Sequence, residues 1–236
     1  MICYVDIEHE KVLQDPEKRS AHLARCMEVK LRLEETSGQA CLVQRYWRVT
    51  RQRLGEWGVR ALIISGNETD WAEYGEADRS AGGSRRSLAE MCRIIRSAEL
   101  PIIGFCGGCQ LIAMAHGAPL GPMRRLEEGE DDPHPDVAPG YFKEWGFTPV
   151  RVLQSDPLFD GLGEEPMLWE EHYWEVKEVP PAFEVLASTD ACRIQAIRHA
   201  GKLVYGVQFH PERYTQEHAD GRKLLINFFK VAGSLG

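Results

Sequence analysis

The stretch Gly104-Phe105-Cys106-Gly107-Gly108-Cys109-Gln110 constrains the fold more than any other part of this chain of 236 residues. It follows the apolar run 100–103 and leads into an apolar segment that ends at Gly117. This order predicts a buried strand, a tight turn at Cys106 and then a helix. The small residues beside the cysteine fit a strained strand-to-helix elbow, where side chains have little room. Because the N-terminus of a helix favours a thiolate over a thiol, the stretch predicts a nucleophile.

The first half of the chain alternates between strand-like and helix-like segments. Short apolar runs predict strands at 1–7, 40–45, 59–65 and 100–105. Charged, periodic segments between them predict helices at 16–37, 47–57 and 84–98. The alternation predicts an α/β fold, a three-layer sandwich around a mostly parallel central sheet with right-handed crossovers.

The second half of the chain is strand-rich. Gly and Pro punctuate strand candidates at 145–153, 167–169, 173–178, 183–188, 193–199 and 203–209. This pattern predicts antiparallel strands, followed by a closing helix at 215–232. The acidic excursion 122–141 carries no core pattern and is expected to be a solvated surface loop, with a lid or docking surface near the active site as the alternative. Without an internal repeat or a clear linker, residues 1–236 are predicted to form a single domain.

Charge and cysteine content exclude several classes of function. The net charge of −8 argues against a general nucleic-acid binder. No apolar run approaches the roughly 20 residues of a membrane span, and the N-terminus lacks the features of a signal peptide. Seven cysteines without a framework of spacings predict reduced thiols in a cytoplasmic protein. We therefore expect no nucleic-acid partner and no membrane partner.

A histidine and a glutamate near the end of the chain complete a candidate catalytic triad with Cys106. His210 and Glu212 follow the apolar strand 203–209 and are two residues apart. In extended geometry they face the same side, and the proline between them disfavours a helix. Both side chains can therefore point to one site at the end of the strand, where parallel sheets bind their ligands. The backbone N–H of Gly107, directly after the cysteine, is the natural donor to an oxyanion.

These motifs resemble those of a known family. Gly-x-Cys-x-Gly-x-Gln after an apolar strand, with a later Gly-Val-Gln-Phe-His-Pro-Glu, is similar to the class I (triad) glutamine amidotransferases. The resemblance implies a flavodoxin-like fold and a Cys106–His210–Glu212 triad that attacks the side-chain amide of glutamine. Ammonia leaves, a thioester forms and water releases glutamate, with no cofactor. Gln110 matches a residue that contacts substrate in the family; alternatively, it bonds nearby backbone at the start of the helix.

Two segments depart from the family pattern. After the third strand the family often has Ser-Gly-Gly-Pro, whereas this chain has Ser-Gly-Asn-Glu at 65–68. The resemblance implies that Gly66 faces the substrate and that the backbone N–H of Asn67 is the second oxyanion donor. The segment 169–174 aligns with a stretch that grips the α-amino and α-carboxylate groups of the substrate. Its candidate binding residues are Glu171, His172 and Tyr173; Glu171 replaces a neutral residue, and His172 is alternatively structural.

A second cysteine, Cys109, gives the elbow a Cys-x-x-Cys spacing. Taken alone, that spacing is typical of a thioredoxin-like redox site, and it also suggests inactivation through a Cys106–Cys109 disulfide. The surrounding residues fit the amidase template instead. The histidines are dispersed and no Cys/His quartet has the spacing of a zinc finger, so we predict no metal.

Glutamine or a γ-glutamyl compound is therefore the expected small-molecule substrate. The leading hypothesis is glutamine hydrolysis that supplies ammonia to a separate synthetase. Because no phosphate-binding loop is present and the chain ends soon after the closing helix, the acceptor and ATP sites are expected on that partner. The alternative is a γ-glutamyl hydrolase or peptidase, which would use the same triad without a partner. Redox function or a scaffold with a vestigial triad takes third place.

Overall fold

The computed structural model describes residues 1–74 and 87–233. The strands are β1 (Ile2–Asp6), β2 (Cys41–Arg45), β3 (Leu62–Ile64), β4 (Ile102–Phe105), β5 (Leu120–Pro122), β6 (Glu144–Pro149), β7 (Arg151–Val152), β8 (Met167–His172), β9 (Trp174–Val176), β10 (Phe183–Ser188), β11 (Ala196–His199) and β12 (Val204–Val207). The α-helices are α1 (Glu10–Gln14), α2 (Pro16–Ser37), α3 (Arg51–Glu56), α4 (Ala89–Ser97), α5 (Gly107–Ala115) and α6 (Asp220–Val231).

The central sheet of the described residues has the order β2-β1-β3-β4-β12-β11-β10-β7. Strands β2, β1, β3, β4 and β12 run parallel, whereas β11, β10 and β7 continue the sheet in antiparallel pairing. Strands from both halves of the chain thus meet in one sheet, because β12 pairs directly with β4. The predicted mostly parallel sheet and antiparallel C-terminal strands are confirmed.

Helices cover both faces of this sheet. In β1, Cys3 and Val5 belong to one apolar core, and Ile2 and Tyr4 belong to the other. Helices α3, α4 and α5 pack against the first core, and α2 and α6 pack against the second. Burial of successive side chains on opposite faces explains why these strands are apolar throughout. The predicted three-layer α/β fold is confirmed.

The parallel strands bring four loop segments to one edge of the sheet. Because their carboxyl ends lie together, Glu8 after β1, the loop 65–70 after β3, Cys106 after β4 and His210 after β12 are neighbours. The topology therefore assembles a site from residues up to about 200 positions apart in the chain.

Several predicted boundaries differ from the structure. The predicted helix 47–57 is a 3₁₀ turn followed by the short α3, and the strand 145–153 is broken between β6 and β7. The predicted helix 84–98 begins outside the described residues and continues as α4. The closing helix starts at Asp220, because Thr215 and His218 form a turn in which the Thr215 N–H donates to the His218 carbonyl. Helix α1 and strand β5 had no counterpart in the sequence prediction.

Smaller sheets flank the cavity edge of the main one. Strand β6 pairs with β8, and β5 pairs with β9. Both pairs are antiparallel, and each partner is distant in sequence. Among the helices in the described ranges, none combines the length and the apolar character that a bilayer crossing needs.

Candidate active site

Cys106 lies at the elbow between β4 and α5. Its backbone adopts φ 47° and ψ −107°, a left-sided conformation that costs a non-glycine residue about 1–3 kcal/mol. Close packing explains the neighbouring glycines: a Cβ on Gly104 would lie 2.4 Å from the carbonyl carbon of Gly108. A Cβ on Gly108 would lie 2.5 Å from the carbonyl oxygen of Ile64. The elbow is pinned to the sheet by a 2.8 Å bond from the Cys106 N–H to the Val207 carbonyl.

His210 and Glu212 follow β12 and face Cys106. The N–H of His210 donates to the Trp169 carbonyl at 2.7 Å, and its Nδ1 lies 2.8 Å from Glu212 Oε1. The ring therefore turns Nε2 away from Glu212 and toward the cysteine. A Cβ on Gly66 would lie 3.4 Å from Cys106 Cβ and 3.8 Å from His210 Nε2, so both side chains border the same small space.

The electrostatic surroundings favour a protonated His210. Burial lowers the pKa of His210, but the charge of Glu212 and hydrogen bonds with Cys106 and Glu212 outweigh it and raise the pKa to about 10. The Glu212 main chain is held in turn, because Arg32 of α2 donates to its carbonyl at 2.6 Å. The structure thus brings together the three predicted triad residues in an order that a nucleophile, base and orienting carboxylate require.

The two predicted oxyanion donors are neighbours. A Cβ on Gly107 would lie 3.0 Å from the backbone nitrogen of Asn67 and 1.7 Å from its Oδ1. Asn67 therefore packs on the first turn of α5. Its own side-chain amide donates to the Thr69 carbonyl at 2.6 Å and closes the loop on itself.

A residue that sequence reasoning missed fixes this loop. Glu8, which is 1% exposed, accepts from the N–H of Glu68 at 2.6 Å and from the N–H of Thr69 at 3.3 Å. Loss of the usual Ser-Gly-Gly-Pro sequence therefore does not leave the loop unsupported. The signal in the sequence was a glutamate directly beyond the apolar strand 1–7, where a buried carboxylate needs donors.

Strand β8 divides the predicted substrate-binding segment between two faces. Its burial alternates, so that Glu170 and His172 point into the interior while Trp169 and Glu171 are partly exposed. The Glu171 carboxylate pairs with Arg213 and accepts from the Trp169 indole at 3.2 Å. Its carbonyl oxygen lies 3.9 Å from Cys106 Sγ. Glu171 is thus beside the nucleophile, but its charge is already compensated.

The next two predicted binding residues have partners within the protein. His172 Nδ1 donates to the Trp174 carbonyl at 3.0 Å, and its Nε2 lies 3.0 Å from Glu144 and 3.3 Å from Glu170. With both ring nitrogens engaged in a buried network, the structural alternative for His172 is the one that this geometry favours. The Tyr173 hydroxyl donates to the Asp70 carboxylate and joins β8 to the loop after β3.

These groups open onto a cavity of about 1040 Å³. Its walls come from one face of α2, the loop after β3, β8 and residues 136–138. A concave site with a few convergent polar groups is the usual form of a small-molecule site.

Comparison with known proteins identifies the family. The family model described as glutamine amidotransferase class-I matches residues 51–232, which is most of the chain. The chain belongs to the class-I glutamine amidotransferase family. It is similar to the glutamine-hydrolyzing subunit of GMP synthase from Methanocaldococcus jannaschii, at 39% identity over 65% of this chain and 72% of that protein. The corresponding Pyrococcus abyssi protein is 39% identical over 82% of this chain and 94% of its own length.

Solved structures agree on the fold. A protein from Thermoplasma acidophilum that is assigned as a GMP synthase subunit superposes with a TM-score of 0.67 at 22% identity, covering 99% of this chain and 95% of that one. A glutamine amidotransferase from Thermotoga maritima gives a TM-score of 0.64 at 12% identity, covering 98% and 97%. At these identities the likeness shows the amidotransferase fold alone.

Cys109 faces the sheet of this amidotransferase, away from solvent. It has no exposed surface, and a Cβ on Gly206 would lie 2.8 Å from its sulfur. Burial raises the pKa of the Cys109 thiol far above its usual range. A redox cysteine needs an accessible, ionisable thiol, so this placement argues against the thioredoxin-like alternative.

The acidic excursion differs from the expected solvated loop. Met123 is 3% exposed, and the buried Lys143 Nζ lies 2.8 Å from Asp132. The ring of His134 stacks on Trp145 with a centroid distance of 4.1 Å. These contacts fold the segment back, so that residues 136–138 line the cavity. The position matches the alternative of a lid beside the active site.

Two clusters in the described residues combine side chains that metals use. They are Asp6 with His22 and Cys26, and Glu144 with His172 and Cys192. In each cluster burial lowers the pKa of the histidine, but carboxylate hydrogen bonds outweigh it and raise the pKa to about 10. A ring that is protonated at neutral pH has no lone pair for a metal, so internal ion pairs account for both groups.

The buried imidazoliums predict a pH dependence of stability. Three histidines with pKa values raised to about 10 each contact a carboxylate: His22 on Asp6, His172 on Glu144 and His210 on Glu212. Because the folded pKa exceeds the ordinary value of about 6.5, their contribution is complete below pH 6.5 and is lost as the pH rises through 10. We expect the free energy of unfolding, measured with urea, to fall steadily between these values. A constant or rising stability contradicts the assignment.

Proposed function

We propose that this protein hydrolyses the side-chain amide of glutamine at Cys106 and passes the ammonia to a separate synthetase subunit. The observation that carries the proposal is the 2.8 Å contact between His210 and Glu212 beside the elbow cysteine, in a chain of this family. The relatives are named as the glutamine-hydrolysing subunit of GMP synthase, which supports a partner that makes GMP.

The geometry suggests the following first half-reaction. The Cys106 thiolate attacks the amide carbon, and the new oxyanion accepts from the N–H groups of Gly107 and Asn67. His210, protonated at Nε2, gives that proton to the departing nitrogen, so that ammonia leaves and a γ-glutamyl thioester remains. Glu212 keeps the other ring nitrogen protonated and orients the ring.

The second half-reaction returns the enzyme to its starting state. A water molecule gives a proton to the now neutral His210 and attacks the thioester carbon. The C–S bond breaks, glutamate leaves and the thiolate–imidazolium pair is restored. The same two N–H groups serve the second oxyanion.

The relatives favour glutamine over the γ-glutamyl alternative, and Glu171 no longer argues for the latter because Arg213 neutralises it. We expect the kcat/KM for ammonia release from glutamine to exceed that for amine release from γ-glutamyl dipeptides by about tenfold or more. Both products are measured with the same protein preparation. Faster cleavage of the dipeptides would replace this proposal with γ-glutamyl hydrolysis.

Removing the Glu8 carboxylate tests whether it holds the oxyanion loop. Glu8→Ala deletes the acceptor for two backbone N–H groups, so we expect kcat for glutamine to fall about tenfold with a smaller change in KM. Glu8→Gln keeps one acceptor oxygen and should lie between. The matched control is Glu68→Ala, which removes a half-exposed carboxylate paired with Arg25 and should change kcat less than about twofold. An unchanged kcat in Glu8→Ala contradicts the role.

A further inference from the structure

A chain of side-chain hydrogen bonds ends at the sulfur of Cys106. The Trp71 indole donates to Oε1 of Gln110, and Nε2 of Gln110 donates to Oε1 of Gln208 at 3.0 Å. Nε2 of Gln208 lies 3.5 Å from Cys106 Sγ. All three residues are buried, with Gln208 0%, Gln110 2% and Trp71 3% exposed. The triad mechanism uses none of these contacts.

The direction of this chain is fixed by its chemistry. An indole N–H only donates, so it must meet the oxygen end of the Gln110 amide. The nitrogen end then faces two acceptors, the Gln208 oxygen and the Trp174 carbonyl at 2.9 Å. Because a carbonyl only accepts, it agrees with that orientation. The oxygen end of Gln208 is thereby used, and its N–H group is the end that faces the sulfur.

We propose that Gln208 is a further catalytic residue, whose amide donates a hydrogen bond to the Cys106 thiolate, and that Gln110 and Trp71 are positioning residues that hold its direction. The proposal rests on Cys106 being the nucleophile of the proposed function. A hydrogen bond to an ionised acceptor is roughly twice as strong as one between neutral groups. Gln208 therefore stabilises the thiolate more than the thiol, and it does so where no solvent competes.

This role also assigns a use to Gln110. Both ends of its amide are engaged by protein groups, which fits orientation of Gln208 better than direct substrate contact. The donor at the sulfur is independent of the imidazole, because Gln208 reaches Sγ from its own position on the chain beyond β12.

Alkylation of Cys106 as a function of pH tests the proposal without substrate. Iodoacetamide reacts with the thiolate, and mass spectrometry of the Cys106 peptide gives the rate at each pH. In Gln208→Leu we expect the pH of half-maximal rate to rise by about one unit. Trp71→Phe, which keeps a packed ring but removes the N–H, should give a smaller rise in the same direction.

A matched control separates this effect from general loosening. Gln195 is also fully buried, and its amide donates to Glu144 instead of to the sulfur. Gln195→Leu should therefore leave the alkylation midpoint unchanged. Near-ultraviolet circular dichroism checks that each variant is folded. If Gln208→Leu does not fold, Trp71→Phe decides the matter.

The outcomes distinguish this proposal from the proposed function. An unchanged midpoint in folded Gln208→Leu, or in Trp71→Phe if the former does not fold, overturns the role of Gln208 even when the wild type releases ammonia. An equal rise in Gln195→Leu overturns it as well. Conversely, a wild type that releases no ammonia from glutamine, alone or with a synthetase, removes the proposed function, whereas the shift in midpoint would still establish the donor.

Discussion

Replacing Cys106 by alanine should lower ammonia release from glutamine at least ~10⁴-fold while leaving the fold intact. The variant loses the atom that forms the thioester, yet it removes a single sulfur from a side chain that lines the cavity. Steady-state ammonia release measures the loss, and thermal unfolding followed by circular dichroism measures the fold.

Cys109→Ala is the matched control for this loss. It removes a thiol from the same helix, three residues away, whose sulfur packs on β12. We expect a modest decrease in stability of about 1 kcal/mol and little change in kcat. If Cys106→Ala retains turnover, or if Cys109→Ala loses as much, the nucleophile has been assigned wrongly.

Gly107→Ala should lower kcat by about 10²–10³-fold, as the loss of one oxyanion donor does in other enzymes. The new methyl group would lie 1.7 Å from Oδ1 of Asn67, so the loop must move and carry the Asn67 N–H away from its partner. A double variant locates the cause. Gly107→Ala with Asn67→Ala removes the clashing oxygen and should recover part of kcat, although the contact with the Asn67 backbone remains.

The single variant Asn67→Ala completes this cycle. Because the proposed donor is a backbone N–H, Asn67→Ala should cost much less than Gly107→Ala. Additive losses in the double variant, with no recovery, would show that the two residues do not share one oxyanion site. Ammonia release under saturating glutamine is measured for all four proteins.

The elbow and the layers of this fold could be predicted because their signals are local. Strand β4, the turn at Cys106 and helix α5 follow from one contiguous stretch, and α2 coincides with the predicted segment 16–37. The alternation of β8 was also available, since period two places Glu171 and His172 on opposite faces of a strand. Treating 169–174 as one binding segment overlooked that signal.

The parts that could not be predicted depend on distant partners. The Glu8 carboxylate meets backbone N–H groups about 60 residues later, and no local pattern marks such a contact. The excursion 122–141 is acidic and without periodicity, yet the ion pair between Asp132 and Lys143 folds it against the cavity. Gln208 was visible only as part of a motif; its role requires knowing that β12 lies next to β4.

Two departures from the family sequence have structural explanations. The loop after β3 lacks the usual glycines and proline, but Glu8 supplies acceptors that hold it. The carboxylate of Glu171 is balanced by Arg213, which follows the triad glutamate directly. Since contacts within this chain hold the loop, we expect the isolated protein to hydrolyse glutamine.

The most direct test of the triad uses an electrophilic glutamine analogue and mass spectrometry of the intact protein and its peptides. We predict one covalent adduct, on the Cys106 peptide, whose formation is suppressed by glutamine and greatly slowed in His210→Asn. An adduct on another cysteine, or equal labelling of Cys106 when His210 is replaced, would contradict the account.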